Sequence, residues 1–344
     1  MLDFDIRGRK IGTEYPPLVL VEVGINHEGE LAKALQCVDA AAEAGAEIVK
    51  FQCHITEKEM LHTDMKPGDI SDEKLFDIIK RCELTEDEER QVQKYTEEKG
   101  MIYLSTPFSR EAADRLYEMD VPGFKIGSGE CNNLPLLDHI AAIGKPIILS
   151  TGMNDLTSIK KSVEVIQRYN TPLALMHCTS MYPTPYNKVR LGAIKQLIDT
   201  FPNLPVGLSD HSLNIYTCLG GVALGACILE KHFTVTREWP GPDVPISIEP
   251  DELKHLIEGS HAVWQANNGE KTILPEEQPV IDFAYASVVT IHKVKAGEVL
   301  SLNNVWVKRP GTGEILAGEF ELCLGKTFTK DLDEGVMVNR TDII

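Results

Sequence analysis

No cysteine pair in this chain has the C-x-x-C spacing of a zinc knuckle or dithiol redox site, although eight cysteines stand at 37, 53, 82, 131, 178, 218, 227 and 323. Several fall inside apolar runs, so buried reduced thiols are expected and a zinc site is not. Positive charge is scarce as well. Lys and Arg number 34 against 52 Asp and Glu, a formal charge of −18. That excludes nucleic acid as the main partner, because phosphate backbones need a broad basic surface. An anionic substrate remains compatible only if a few lysines are focused inside one cleft. Long apolar stretches are missing too: no run reaches membrane-spanning length, and the start, "MLDFDIRGRK", has no apolar signal core. The expectation is a cytoplasmic protein with no membrane contact. A Gly-rich dinucleotide turn is also absent after the first apolar run, where "GINHEG" has the wrong spacing.

What the chain does have is a repeated beat of short apolar run, loop and amphipathic helix. The runs are "LVLVEVGIN" (18–26), "EIVKFQC" (47–53), "MIYLSTPF" (101–108), "FKIGSGE" (124–130), "PIILSTG" (146–152), "LALMHCTS" (173–180), "PVGLSDHS" (205–212) and "ILEKHFT" (228–234). Between them, Ile159, Val163 and Ile166 mark one helix face, and Leu253, Leu256, Ile257 and Trp264 another. Eight strands alternating with helices over about 250 residues predict a closed (β/α)8 TIM barrel spanning residues 1–266. An open doubly wound sheet is the structural alternative. Residues 267–282, polar and with two prolines, read as a linker, and 283–344 as a small β-rich domain.

In such barrels the active site lies at the C-terminal ends of the strands. Polar residues collect there on every run, among them Glu22, Lys50, Gln52, Thr106, Lys125, Ser128, Glu130, Ser150, Ser209, His211, Glu230 and His232. Lys50 and Lys125 each interrupt an apolar strand, and a buried ammonium needs a carboxylate or a bound anion. Internal pairs with Glu22 and Glu130, an anion clamp helped by the nearby hydroxyls, and a Schiff-base lysine are the three readings. His211 and His232, on adjacent late strands, suit a divalent cation with open positions, or are satisfied core residues. In "LEKHF", alternation places Glu230 and His232 on one face and Lys231 on the other. His27, Glu28, His54 and His62 read as structural or surface residues.

Taken together, "EVGINHEG", "VKFQ", "STPF", "KIGSGE", "LSTGM", "HCTSMYPTP", "GLSDHS" and "LEKHFT" resemble the sialic acid synthases, including their legionaminate and pseudaminate relatives. The tail resembles their antifreeze-like (SAF) domain, most clearly in "NVWVKRPGTG". The resemblance implies condensation of phosphoenolpyruvate with open-chain N-acetylmannosamine, giving a nine-carbon 2-keto acid and phosphate. It implies that His211 and His232 hold a divalent metal, with Mn²⁺ expected and Mg²⁺ or Co²⁺ as alternatives. Glu22 would position and deprotonate water, with Glu130 and Glu230 as secondary acid/base or orienting groups. Lys50, Thr106, Lys125, Ser128, Ser150 and Ser209 would grip phosphoenolpyruvate, and Gln52, Tyr182 and Asp243 the sugar. Arg309, with Phe283 nearby, would reach the N-acetyl end from the partner of a domain-swapped homodimer. Ser180 departs from the family pattern, which often has Asn there; its hydroxyl can still donate. A diacetamido-trideoxy hexose is the alternative acceptor. A metal-dependent barrel hydrolase or isomerase, and a non-catalytic sugar-binding protein, are the alternatives of other classes.

Overall fold

Residues 4–68 and 72–344 are described by the computed structural model. The chain begins with a hairpin, β1 (Phe4–Ile6) paired antiparallel with β2 (Arg9–Ile11). Its two-residue turn, Arg7 and Gly8, has φ of 49° and 87°, the double positive φ of turns that match strand twist. Eight parallel strands follow: β3 (Leu18–Gly24), β4 (Ile48–Cys53), β5 (Ile102–Pro107), β6 (Phe124–Ile126), β7 (Ile147–Ser150), β8 (Leu173–Cys178), β9 (Val206–Asp210) and β10 (Ile228–His232). Each falls inside one of the apolar runs. Hydrogen-bonded neighbours run in the order β5-β4-β3-β10-β9-β8-β7-β6, and the two ends, β5 and β6, lie side by side. Joining β10 to β3 and β5 to β6 closes the ring, so the architecture is a (β/α)8 barrel.

Both faces of these strands are covered, which is why they read as apolar runs instead of alternating ones. Outward residues such as Val19, Val21, Val49, Phe51, Leu149 and Leu229 pack against the surrounding helices. The helix Leu31–Glu43 answers with Ala34, Cys37, Val38 and Ala41, a single stripe at helical spacing. Inward residues at the N-terminal end, including Leu18, Leu20, Ile48, Ile148, Met176 and Ile228, form a second core. The hairpin adds Phe4, Ile6 and Ile11 to it. The barrel floor is thus sealed by apolar side chains, each worth about 1.5–3 kcal/mol when fully buried. Above that floor the inward positions become polar.

The chain divides into two compact units between Asn268 and Gly269. The segment read as a linker, 267–282, holds a 3-10 turn, Pro275–Glu277, and most of a helix, Gln278–Ala284, that runs past its predicted end. Beyond it β11 (Ser287–Thr290) pairs antiparallel with β12 (Val305–Lys308). Isolated bridges such as Val294 with Leu332 and Phe328 with Ile343 wrap the rest around a small core of its own. Among the described residues no helix is long and apolar enough to cross a membrane.

Candidate active site

Side-chain alternation delivers the polar residues to the barrel mouth. On β4, Ile48 belongs to the floor, Val49 and Phe51 to the outer core, and Lys50 and Gln52 to the cavity. On β10, Glu230 and His232 face the same cavity. Lys231 points outward, where its ammonium meets Asp210 at 2.7 Å and the Ser212 carbonyl. The "EKH" triplet is therefore two cavity residues around one buried ion pair that joins β10 to β9.

The cavity has a volume of about 380 Å³. It is lined by Glu22, Lys50, Gln52, Thr106, Lys125, Ser128, Ser150, Tyr182, Ser209, His211, Glu230, His232 and Asp243, all named from the sequence. Lys50 sits 2.5 Å from Glu22 and donates to the Thr106 hydroxyl at 3.0 Å. Lys125 donates to Ser150 at 2.8 Å and pairs with Glu230 at 3.1 Å, not with Glu130. The strand ends at Ile126, and Ser128–Glu130 form a 3-10 turn that breaks the alternation. Glu130 consequently does not line the cavity; it accepts from Asn133 Nδ2 at 2.6 Å. Phe283 and Arg309 belong to the second unit, where both are exposed.

Two lysines and two carboxylates form a nearly neutral cluster, and burial divides their behaviour. Burial would raise Glu230, but Lys125 and Lys50 overcome it and hold the carboxyl down at about 2. Glu22 moves the other way: burial, helped by the Glu230 charge, outweighs Lys50 and raises it. Burial also lowers Lys125 despite Glu230. Two ammonium groups facing one cavity, with the Thr106 and Ser150 hydroxyls beside them, suit an anion. Above the lysines, Ser128 Oγ accepts from the Gly152 amide at 3.0 Å. A Cβ on Gly152 would stand 2.5 Å from the Ser180 hydroxyl and 2.7 Å from that of Ser128, so any side chain there would displace both hydroxyls from this part of the wall.

His211 and His232 are buried with ring centroids 5.4 Å apart, and the Tyr182 ring lies 4.2 Å from His211. His211 Nδ1 donates to the Thr179 carbonyl at 3.1 Å, which turns Nε2 away from that bond. Nδ1 of His232 is buried without a hydrogen-bond partner, 3.6 Å from Asp243. Burial, with His211 close by, outweighs Asp243 and lowers His232 to about 4, so it is neutral with a lone pair to give. Burial also opposes the His211 proton, but the Cys178 sulfur at 3.7 Å and the Thr179 carbonyl prevail and push it up to about 9. A cation bound there would displace that proton. Among the described residues no three His, Cys, Asp or Glu side chains gather as a ready cage. The pair, with its orphaned Nδ1, fits a divalent ion that keeps open positions for water and substrate.

The sequence does not assign Phe108 or Met153 to the wall, which both join; Ser180, noted from the sequence as a donor, joins it too. The signal was available for Phe108 and Met153, which follow strands β5 and β7 by one and three positions, where barrel loops carry function. A larger groove of about 600 Å³ on the barrel flank shares Phe108 but holds none of the paired lysines.

Fold and site define the class: a (β/α)8 barrel with buried lysine–carboxylate pairs and two imidazoles at its C-terminal mouth, followed by a separate small unit. Residues 37–272 match the sequence profile of the NeuB family and residues 285–343 that of the SAF domain. The N,N'-diacetyllegionaminic acid synthase of Campylobacter jejuni is 38% identical over 333 residues, covering 93% of this chain and 98% of that protein. Human N-acetylneuraminate-9-phosphate synthase is 33% identical over 306 residues, 88% of this chain and 85% of that one. The crystal structure of N-acetylneuraminic acid (sialic acid) synthetase from Leptospira borgpetersenii in complex with citrate superposes with a TM-score of 0.74 at 32% identity, covering 81% of this chain and 95% of that one. The chain belongs to the NeuB family, the synthases of sialic, legionaminic and pseudaminic acids, and ends in a SAF domain.

Proposed function

We propose that this enzyme condenses phosphoenolpyruvate with the open-chain form of N-acetylmannosamine, giving N-acetylneuraminate and phosphate. The observation that carries the reading is the buried cluster of Lys50, Lys125, Glu22 and Glu230, which opens on one cavity beside two imidazoles. C3 of phosphoenolpyruvate attacks the aldehyde carbon, water adds at C2, and the tetrahedral intermediate loses phosphate by C–O cleavage. Lys50 and Lys125, with Thr106, Ser128, Ser150 and Ser209, bind the anion; the lysine charges and hydroxyl donors match its oxygens. Glu22, raised by burial, positions the water and takes its proton. Glu230, held ionised by Lys125, keeps that lysine oriented. A divalent cation held by His211 and His232, Mn²⁺ in the first instance, would supply Lewis-acid polarisation of the aldehyde oxygen.

Gln52, Tyr182 and Asp243 face the sugar in this reading, and Arg309, beside Phe283, takes the N-acetyl group across a domain-swapped homodimer. A second reading takes a 2,4-diacetamido-trideoxy hexose as acceptor, prompted by the 38% identity to the Campylobacter jejuni legionaminic acid synthase. One assay decides both: phosphate release from phosphoenolpyruvate with a panel of amino-hexoses, the product identified by mass. Sugar-dependent release, lost on chelation and restored by Mn²⁺, is the expected result. No release with any member of the panel refutes the reading.

A further inference from the structure

His54 reads from the sequence as a structural or surface residue, yet its ring is 3% exposed and stacks on Phe108, a wall of the cavity, at 4.5 Å and 12°. Its two nitrogens are both engaged. Nδ1 lies 2.9 and 3.1 Å from the two oxygens of Glu59, whose side chain is 4% exposed. Nε2 lies 3.0 Å from Gln52 Oε1. Gln52 passes the contact on, since its Nε2 donates to Glu22 Oε1 at 2.8 Å.

We propose that Glu59 and His54 are positioning residues for Glu22, acting through Gln52 in a chain Glu59–His54–Gln52–Glu22. A glutamine amide held at one end only can rotate or exchange its oxygen and nitrogen. Held at both ends it presents its NH₂ to Glu22 in one orientation. Glu22 is thus held at both oxygens, Oε1 by the Gln52 amide at 2.8 Å and Oε2 by the Lys50 ammonium at 2.5 Å, so the amide fixes the rotation that the ion pair leaves open. A buried His–carboxylate pair is a poor source of stability, since desolvation consumes most of the attraction. Orientation of a neighbouring group is what this pair supplies. Local geometry makes the chain short: Gln52 and His54 are alternate residues where β4 ends, and Glu59 closes the single helical turn Thr56–Glu59.

The inference rests on the reading of Glu22 as the residue that positions and deprotonates water, and its test separates the two. His54→Phe keeps the ring on Phe108 and removes both nitrogens. It is expected to lower kcat about 10- to 100-fold, the loss typical of a misplaced reacting group. KM for phosphoenolpyruvate should stay near wild type, because the lysines bind it. Glu59→Gln, which keeps an acceptor for Nδ1, should lose less, and His54→Gln, which keeps a donor, should recover part of the rate. In a Glu22→Gln background His54→Phe should cost nothing more, since its effect runs through Glu22. Wild-type kcat in His54→Phe, or losses that simply add in the double variant, would overturn the chain. If His54→Phe fails to fold, Glu59→Gln carries the same cycle. One readout needs no turnover: with ¹⁵N-glutamine labelling, the Gln52 side-chain NH₂ should exchange with solvent more slowly in wild type than in His54→Phe, and equal exchange also overturns it. A wild-type enzyme silent on the whole sugar panel refutes the functional reading instead, while the exchange measurement still decides the chain.

Discussion

His27 shows how a buried imidazole can serve stability without touching the site. It is 1% exposed, and its Nδ1 accepts from the Gly29 amide at 3.1 Å. Burial, reinforced by His54 nearby, lowers it to about 4 from an ordinary 6.5. Between those values the unfolded chain holds a proton that the folded chain refuses, so stability rises with pH there and is lost as pH falls from 6.5 toward 4. One such group contributes a slope of up to about 1.4 kcal/mol per pH unit. His232, also lowered to about 4, works in the same window. His27→Gln should therefore flatten only part of that limb when urea unfolding is followed across it. The difference in slope is the readout, because the substitution shifts absolute stability as well; identical slopes would contradict the account. The sequence shows that a histidine is present but not how deeply it is buried, so His27 and His54 look alike there. They part only when the fold gives one a backbone amide and the other a side-chain chain to Glu22.

Elements were legible wherever composition and period agreed. The eight barrel strands could be read because a strand covered on both faces must be apolar throughout, and the polar exceptions near their ends marked the cavity. The pairing of Lys125 with Glu130 fails because "FKIGSGE" continues to look extended after Ile126, although two glycines let the chain tighten into a turn. The helix Gln278–Ala284 escaped because "QPVIDFA" carries a proline at its second position, where helices tolerate it. The N-terminal hairpin also escaped: three-residue strands with Asp, Arg and Lys give no periodic signal, yet Phe4, Ile6 and Ile11 are almost wholly buried in the barrel floor. This assigns the hairpin a purely mechanical role. Ile6→Ala should destabilise the protein by about 2–5 kcal/mol in denaturant unfolding, the usual cost of such a cavity. Turnover per folded molecule should stay near wild type, since the site opens at the other end of the strands. A large loss of kcat with little loss of stability would mean the floor governs the site.

At the scale of the whole molecule, a formal charge of −18 is compatible with the proposed anion site because its cationic groups are buried. Lys50 and Lys125 are each 2% exposed, inside an exterior dominated by carboxylates. The barrel unit closes its own core, so a chain ending at Asn268 should fold and bind phosphoenolpyruvate. In the proposed swapped dimer it should not condense it, since Arg309 would be gone. The second unit offers a reason to look for a partner: its helix Gln278–Ala284 buries no residue and leaves Val280 and Phe283 exposed, with Tyr285 just beyond. A planar guanidinium holds an amide carbonyl better than a lysine does, so Arg309→Ala should weaken sugar use far more than phosphoenolpyruvate affinity. Mixing two inactive proteins tests the swap itself. If each site takes Glu22 from one chain and Arg309 from the other, a heterodimer of Glu22→Gln with Arg309→Ala has one site with both residues and one with neither. Random exchange makes half of the dimers mixed, so about one quarter of wild-type activity should return. No recovery, with exchange demonstrated by differently tagged chains, would place Arg309 in its own chain's site or outside the site.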